Sequence, residues 1–241
     1  MTFSISARCA RTGMLGVAVS TAVPAVGGIC PFIKPGVGAI STQSWVNPYL
    51  GIDGIALLDG GLAAQETLNR LIADDPGRDV RQIGIVDAKG RTAVHTGAAC
   101  VDWAGHITGD GFTVQGNMLV GEATVERMAQ AAEATASLTL PERLMLVLEA
   151  GQAAGGDKRG RQSAALKVYN IEHFPWLDLR VDEHRNPVAE LRRVFEVALQ
   201  QLLPFVKGMP SRQDPLGGIP AEVTAMLMLP PAYRPGGSGS L

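Results

Sequence analysis

From residue 2 the chain alternates polar with apolar, Thr2, Ser4 and Ser6 falling between Phe3, Ile5 and Ala7. A side-chain period of two puts these sets on opposite faces of a half-buried strand, read over residues 2–9. The next run, residues 14–21, is apolar on both faces until it reaches Ser20 and Thr21. Such a strand belongs in the middle of a sheet that is covered on both sides. Ala10-Arg11-Thr12-Gly13 joins the two as a hairpin, with Gly13 where a positive φ is expected.

Further strands are expected at 28–33 and 36–43, and Trp45-Val46-Asn47-Pro48-Tyr49 reads as a bulky loop of the kind that walls a pocket. Helical spacing follows at Leu50 to Leu58 and at Leu62 to Ala73. Gln82 to Asp87 and Arg91 to His95 form a hairpin across Ala88-Lys89-Gly90. Residues 97–118 are glycine-rich and irregular, with one strand near Phe112 to Gln115. Two helices, about Gly121 to Ala136 and Pro141 to Ala153, precede strands at Ala164 to Tyr169 and Leu177 to Asp182. A periodic helix, Pro187 to Leu203, closes a domain spanning residues 1–204. Residues 205–241, rich in proline and glycine, read as an extended tail whose apolar Ala225 to Leu229 lies against the body or a partner chain.

Hairpins outnumber strand–helix–strand units in this order, which argues against a parallel doubly wound sheet. The expected fold is α+β, with two mostly antiparallel sheets stacked face to face and helices on their outer faces. At 241 residues, 46% hydrophobic and 18% charged, the chain has ample material for one large core. A net charge of −2 without a basic block gives no reason to expect nucleic acid or an anionic membrane as a partner. No apolar run approaches the roughly 18 residues of a membrane span, and the start lacks a signal-peptide pattern. Three cysteines, Cys9, Cys30 and Cys100, without metal-like spacing read as reduced thiols in a cytoplasmic protein.

Chemistry is expected first at Thr2. If Met1 is removed, Thr2 carries a free α-amine beside its hydroxyl, a base and a nucleophile on one residue. Lys34, ahead of the strand at 36–43, would tune that hydroxyl if brought beside it. Gly155 to Ser163 is a polar, glycine-rich loop offering Asp157 and Arg159 as pocket anchors, Arg159 for a substrate carboxylate. An ordinary solvated turn with an internal Asp–Arg pair fits the same residues. Asn117, in Gln115-Gly116-Asn117, can aim an amide at an oxyanion or simply end a strand. His95 and Cys100 lie close in sequence, but His95 reads better as a strand-end hydrogen-bonder and Cys100 as a small buried residue. His106 and Asp102 flank Trp103 without metal-ligand spacing. Neither a dinucleotide fingerprint nor a phosphate-binding loop is present, so no metal or organic cofactor is expected.

A threonine-led strand, a hairpin and a lysine about thirty residues on resemble the N-terminal nucleophile (Ntn) hydrolases, the αββα sandwich of proteasome β subunits and their bacterial relatives. That family usually has an aspartate near the end of the second strand, where this chain has Ser20-Thr21. A closer resemblance is to the DUF1028 family, placed in the same superfamily. It is carried by Thr2-Phe3-Ser4-Ile5, residues 15–20, Ser41-Thr42-Gln43, His95-Thr96-Gly97, Val114-Gln115-Gly116-Asn117 and, most specifically, residues 155–165.

The resemblance implies a four-layer αββα sandwich. With the residues above, it leads to an expected small-molecule amide or C–N bond hydrolase with Thr2 as nucleophile and Lys34 tuning the charge. Asn117, Ser20, Thr42, Gln43 and His95 supply hydrogen bonds, Arg159 and Asp157 anchor the substrate, and Ser4 stands in if Met1 is retained. The alternative is a catalytically silent ligand-binding or assembly protein. A homodimer is expected in either case.

Overall fold

The computed structural model of the protein describes residues 2–228. The expected hairpin is formed by β1 (Thr2–Arg8) and β2 (Leu15–Thr21), and Gly13 has φ +74°. Next come β3 (Pro31–Lys34), β4 (Gly38–Ser44), α1 (Pro48–Asp59), α2 (Ala64–Asp74), β5 (Arg81–Asp87) and β6 (Thr92–Thr96). They are followed by β7 (Gly105–Gly109), β8 (Phe112–Asn117), α3 (Ala123–Ala134), α4 (Leu140–Ala153), β9 (Ser163–Tyr169), β10 (Leu177–Val181) and α5 (Pro187–Gln201).

One sheet has six strands in the order β10-β9-β2-β1-β8-β7, the other four in the order β3-β4-β5-β6, and every pairing is antiparallel. β1 and β8 face β4 and β5 across the stack. α3 and α4 cover the six-stranded sheet, and α1 and α2 cover the four-stranded one. This is the expected αββα sandwich. Strand β7 lies in the stretch read as irregular. Its side chains alternate between half-buried and exposed without an apolar face, because it is an edge strand.

The central strand β1 departs from its half-buried reading. Phe3 and Ile5 are buried, as expected, but Ser4 and Ser6 are also fully buried. Their face meets the second sheet rather than water. What permits this is a hydrogen-bonded polar seam between the sheets. Ser4 Oγ donates to Gln43 Oε1 at 2.6 Å, and Gln115 Nε2 donates to Ser4 Oγ and Ser41 Oγ at 2.7 Å each. Gln82 Oε1 accepts from Gln43 Nε2 at 2.8 Å and Asn117 Nδ2 at 2.9 Å. Gln82 Nε2 donates to Gly116 O and Thr96 Oγ1, both at 2.8 Å. A Cβ on Gly84 would collide with Gln115 and Thr113, so glycine there lets the sheets close over these amides. Away from the seam, Leu15, Val17 and Ala39 fill an apolar part of the stack. Ile40, Leu58, Leu68, Leu71, Ile83 and Ile85 form the core under α1 and α2.

The chain packs as two units that divide between Arg192 and Arg193, within α5. The second unit contains the rest of α5, α6 (Leu203–Lys207) and α7 (Ala221–Met228). The tail read as extended is thus helical at two places. Pro204 sits in the first turn of α6, where a missing N–H costs nothing, so it starts a helix rather than ending one. Leu229 and the residues after it lie outside the described residues. No helix among the described residues is long and apolar enough to cross a membrane.

Gln82→Leu keeps the volume but removes the acceptor that Asn117 and Gln43 share, leaving Gln43 only its longer bonds to the Thr2 and Gln115 carbonyls. Urea unfolding should show a loss of roughly 2–4 kcal/mol from these buried groups. An unchanged midpoint would mean that the seam does not stabilise the stack.

Candidate functional site

The polar seam ends at Thr2, which pairs in register with Thr21 on one side and Asn117 on the other. Thr2 is only 6% exposed. Its Oγ1 donates to Thr21 Oγ1 at 3.2 Å, and its carbonyl accepts from Gln43 Nε2 at 3.3 Å. A cavity of about 550 Å³ opens here, with Thr2, Gln43, Ser44 and Asn117 among its polar residues and Val26, Cys30 and Val80 among its apolar walls. Arg159 lines it, and Ile29, Trp45 and Val101 expose apolar surface around it. Few polar groups among many apolar ones is the make-up of a small-molecule site. Burial pushes the Cys30 thiol up to about 12, so it is a neutral part of the wall.

Two anchors shape the rim. Asp157 Oδ2 accepts from the Ala22 N–H at 3.1 Å and Oδ1 from the Arg159 N–H at 2.8 Å, while Arg159 Nη2 pairs with Oδ2 at 3.3 Å. Asp157 is 5% exposed and ties the glycine-rich loop to the end of β2, which places Arg159 at the cavity. On the other side, Arg81 Nη1 donates to Trp45 O at 2.6 Å and Arg81 Nε donates to Asp75 Oδ2 at 2.8 Å. Asp75 Oδ1 also accepts from the Gly77 N–H at 2.9 Å. Burial alone would raise the Asp75 carboxyl, but these donors and the Arg81 charge outweigh it and hold the group below its ordinary value.

The expected site residues divide. Thr2, Gln43, Asn117 and Arg159 meet at the cavity, with Asp157 positioning Arg159. Lys34 does not. It stands opposite Gly38 and pairs with Asp59 at 2.7 Å. Gln43, the β4 residue touching Thr2, is five residues from Gly38, about 17 Å at strand rise. The lysine therefore sits at the wrong end of the four-stranded sheet to tune Thr2.

Ser4 is locked inside the seam rather than on the cavity. Ser20 donates to Ser163 O at 3.2 Å and Thr42 to Asn47 O at 3.2 Å, both holding backbone. His95 bonds Arg78 O at 2.9 Å, while the Cys100 thiol donates to Arg81 O at 3.2 Å, so they form no nucleophile pair. His106 Nδ1 meets Thr96 Oγ1 at 2.8 Å, and burial, with the nearby His95, holds the ring below its ordinary value. Among the described residues no group of three or more His, Cys, Asp or Glu side chains is gathered as a metal site.

Sequence reasoning passed over Gln82, the hub behind Asn117, and Arg81, which holds Trp45. The signal for Gln82 was present. A glutamine that shares a strand face with Gly84 and Val86, opposite Ile83 and Ile85, has no solvent face to occupy.

The model of the DUF1028 family, described as a family of unknown function, matches residues 2–191. The solved structure of a DUF1028 protein from Silicibacter pomeroyi is 28% identical, with a TM-score of 0.83, over 91% of this chain and 99% of that one. Anbu (ancestral beta-subunit) from Yersinia bercovieri matches at 12% identity and a TM-score of 0.41, covering 87% of this chain and 98% of that one. An Anbu mutant from Hyphomicrobium matches at 13% and 0.40, covering 83% and 96%. No curated protein matches the sequence.

Asp75 tests the rim. Because its folded-state carboxyl titrates below its unfolded value, near 3.9, its contribution is complete above that value and is lost as pH falls through the folded one. Asp75→Asn should cost about 1–3 kcal/mol at pH 7, with the gap to wild type shrinking towards pH 2. A gap independent of pH in urea titrations would rule out the charge as its source.

Proposed function

The chain belongs to the DUF1028 family, and from that premise we propose that it hydrolyses an amide or related C–N bond of a small molecule held in the Thr2 cavity. The observation that carries the reading is the seating of Thr2, at the end of a rigid seam and on an apolar cavity with Asn117 and Arg159 beside it. Once Met1 is removed, the α-amine of Thr2 takes the proton of Oγ1 as that oxygen attacks the substrate carbonyl carbon. The tetrahedral oxyanion accepts from the Asn117 amide, whose orientation is fixed by its bond to Gln82. Collapse breaks the C–N bond, the proton passes from the α-amine to the leaving nitrogen, and an ester to Thr2 remains. Water, with its proton taken by the same amine, then cleaves the ester and restores the hydroxyl. The apolar walls suit an acyl group and Arg159 a carboxylate, so short N-acyl amino acids are the substrate class.

A second reading has one observation in its favour. Lys34 is engaged with Asp59, so Thr2 lacks the cation that the threonine-led resemblance implies. A catalytically silent protein that binds the same molecules accords with that. The proposed setting is the cytoplasm, supported by three unpaired cysteines. A homodimer completes the proposal, and sedimentation should give twice the chain mass.

Screening short amides and N-acyl amino acids with wild type and Thr2→Ala separates the readings. The hydrolase reading expects turnover that falls by roughly three orders of magnitude or more in Thr2→Ala, with ligand binding kept. Equal binding to both and turnover by neither would establish the silent binder instead.

A further inference from the structure

At the opposite end of β1 from Thr2, the β1–β2, β5–β6 and β7–β8 turns and the α3–α4 loop surround a second cavity of about 490 Å³. In a chain of net charge −2 it collects Arg8, Arg11, Lys89 and Arg143, with Asp110 and Glu133 as the acidic residues of its lining. The first three are half-buried or exposed. Arg143 is 6% exposed.

Arg143 Nε donates to Ala132 O at 2.9 Å, and its guanidinium lies 5.4 Å from the centre of the Phe112 ring. No acceptor among the described residues takes its terminal N–H groups, and it makes no ion pair among them. Burial holds its guanidinium below the ordinary value, outweighing the opposite pull of Cys9 and Asp110. A buried cation without a carboxylate partner is costly, and an anion drawn into the cavity removes that cost.

The surrounding turns are held in place. Asp87 Oδ1 accepts from the Lys89 and Arg91 N–H groups at 2.9 and 3.0 Å, Arg8 N donates to Gly111 O at 2.8 Å, and Arg11 Nη2 donates to Leu138 O at 2.7 Å.

We propose that this cavity is a second binding site, for a small molecule bearing a phosphate or sulfate group, with Arg143 as its buried anchor. The cations come from β1, two different turns and α4, so they reach the anion from separate elements. A tetrahedral oxyanion offers acceptors in all those directions, whereas a planar carboxylate is served by a single fork. The volume exceeds that of the bare oxyanion and leaves room for an organic body against Leu138 and Leu140.

Calorimetric titration of the full chain at low salt with inorganic phosphate, pyrophosphate and malonate tests the assignment. Both phosphates should bind, and malonate at least tenfold more weakly. Arg143→Met, which keeps apolar packing on Phe112, should weaken phosphate binding at least tenfold. Lys89→Gln, on an exposed turn, should weaken it about threefold, and Thr2→Ala should leave it unchanged. Should Arg143→Met fail to fold, the exposed Arg11→Gln takes its place with a similar loss expected. No phosphate binding by wild type, unchanged affinity in the arginine variant or in Lys89→Gln, a loss in Thr2→Ala, or malonate bound as tightly as phosphate each overturns the proposal.

Discussion

Gln82 joins the two sheets through one side chain. Its oxygen accepts from Gln43 on its own sheet and from Asn117 on the other, and its nitrogen donates to Gly116 and Thr96. Buried amides bind well only when both ends are satisfied, and an unsatisfied one costs about 1–3 kcal/mol. The seam thus fixes more than stability. A one-residue slip of β1 would turn Phe3 and Ile5 into the seam and Ser4 and Ser6 under α4, losing both sets of partners at once. One register gives the Gln43, Gln82 and Asn117 amides their shared partners, and that register brings Thr2 to the end of the seam.

The cavity at Thr2 inherits that rigidity on its polar side, while its rim is pinned separately. Asp157 ties the 155–163 loop to Ala22, and the Asp75–Arg81 pair holds the Trp45 carbonyl. Thr2, Gln43 and Asn117 sit on β1, β4 and β8 and depend on no loop for their place, a precision that a site on mobile loops lacks. The second cavity at the far end of β1 is also framed by turns whose backbone is bonded in place. The same strand therefore connects a mainly apolar site with a cationic one.

The fold was legible because apolar strands and amphipathic helices follow simple periods. The hairpins, the αββα layers and the central place of β2 follow from residues 2–21 and the helices after them. Edge strand β7 was not legible, since an edge needs no apolar face. The helix at Pro204 was hidden because proline reads as a breaker unless its position in the first turn is known. At the site, Thr2, Asn117 and Arg159 could be named from the sequence, but Lys34 could not be placed, since sequence distance does not tell which end of β4 a residue meets. The burial of Ser4 and Ser6 was missed for a similar reason. Alternation identifies a polar face without saying whether water or a second polar layer lies beyond it.

The central claim is that Thr2 acts as a free N-terminal residue in its cavity, and the intact mass of the native protein tests it most directly. A mass short by one methionine residue is the expected result and would put an α-amine beside the Thr2 hydroxyl. A mass that includes Met1 would contradict the claim, because the amine would then belong to another residue and Thr2 would have no base of its own.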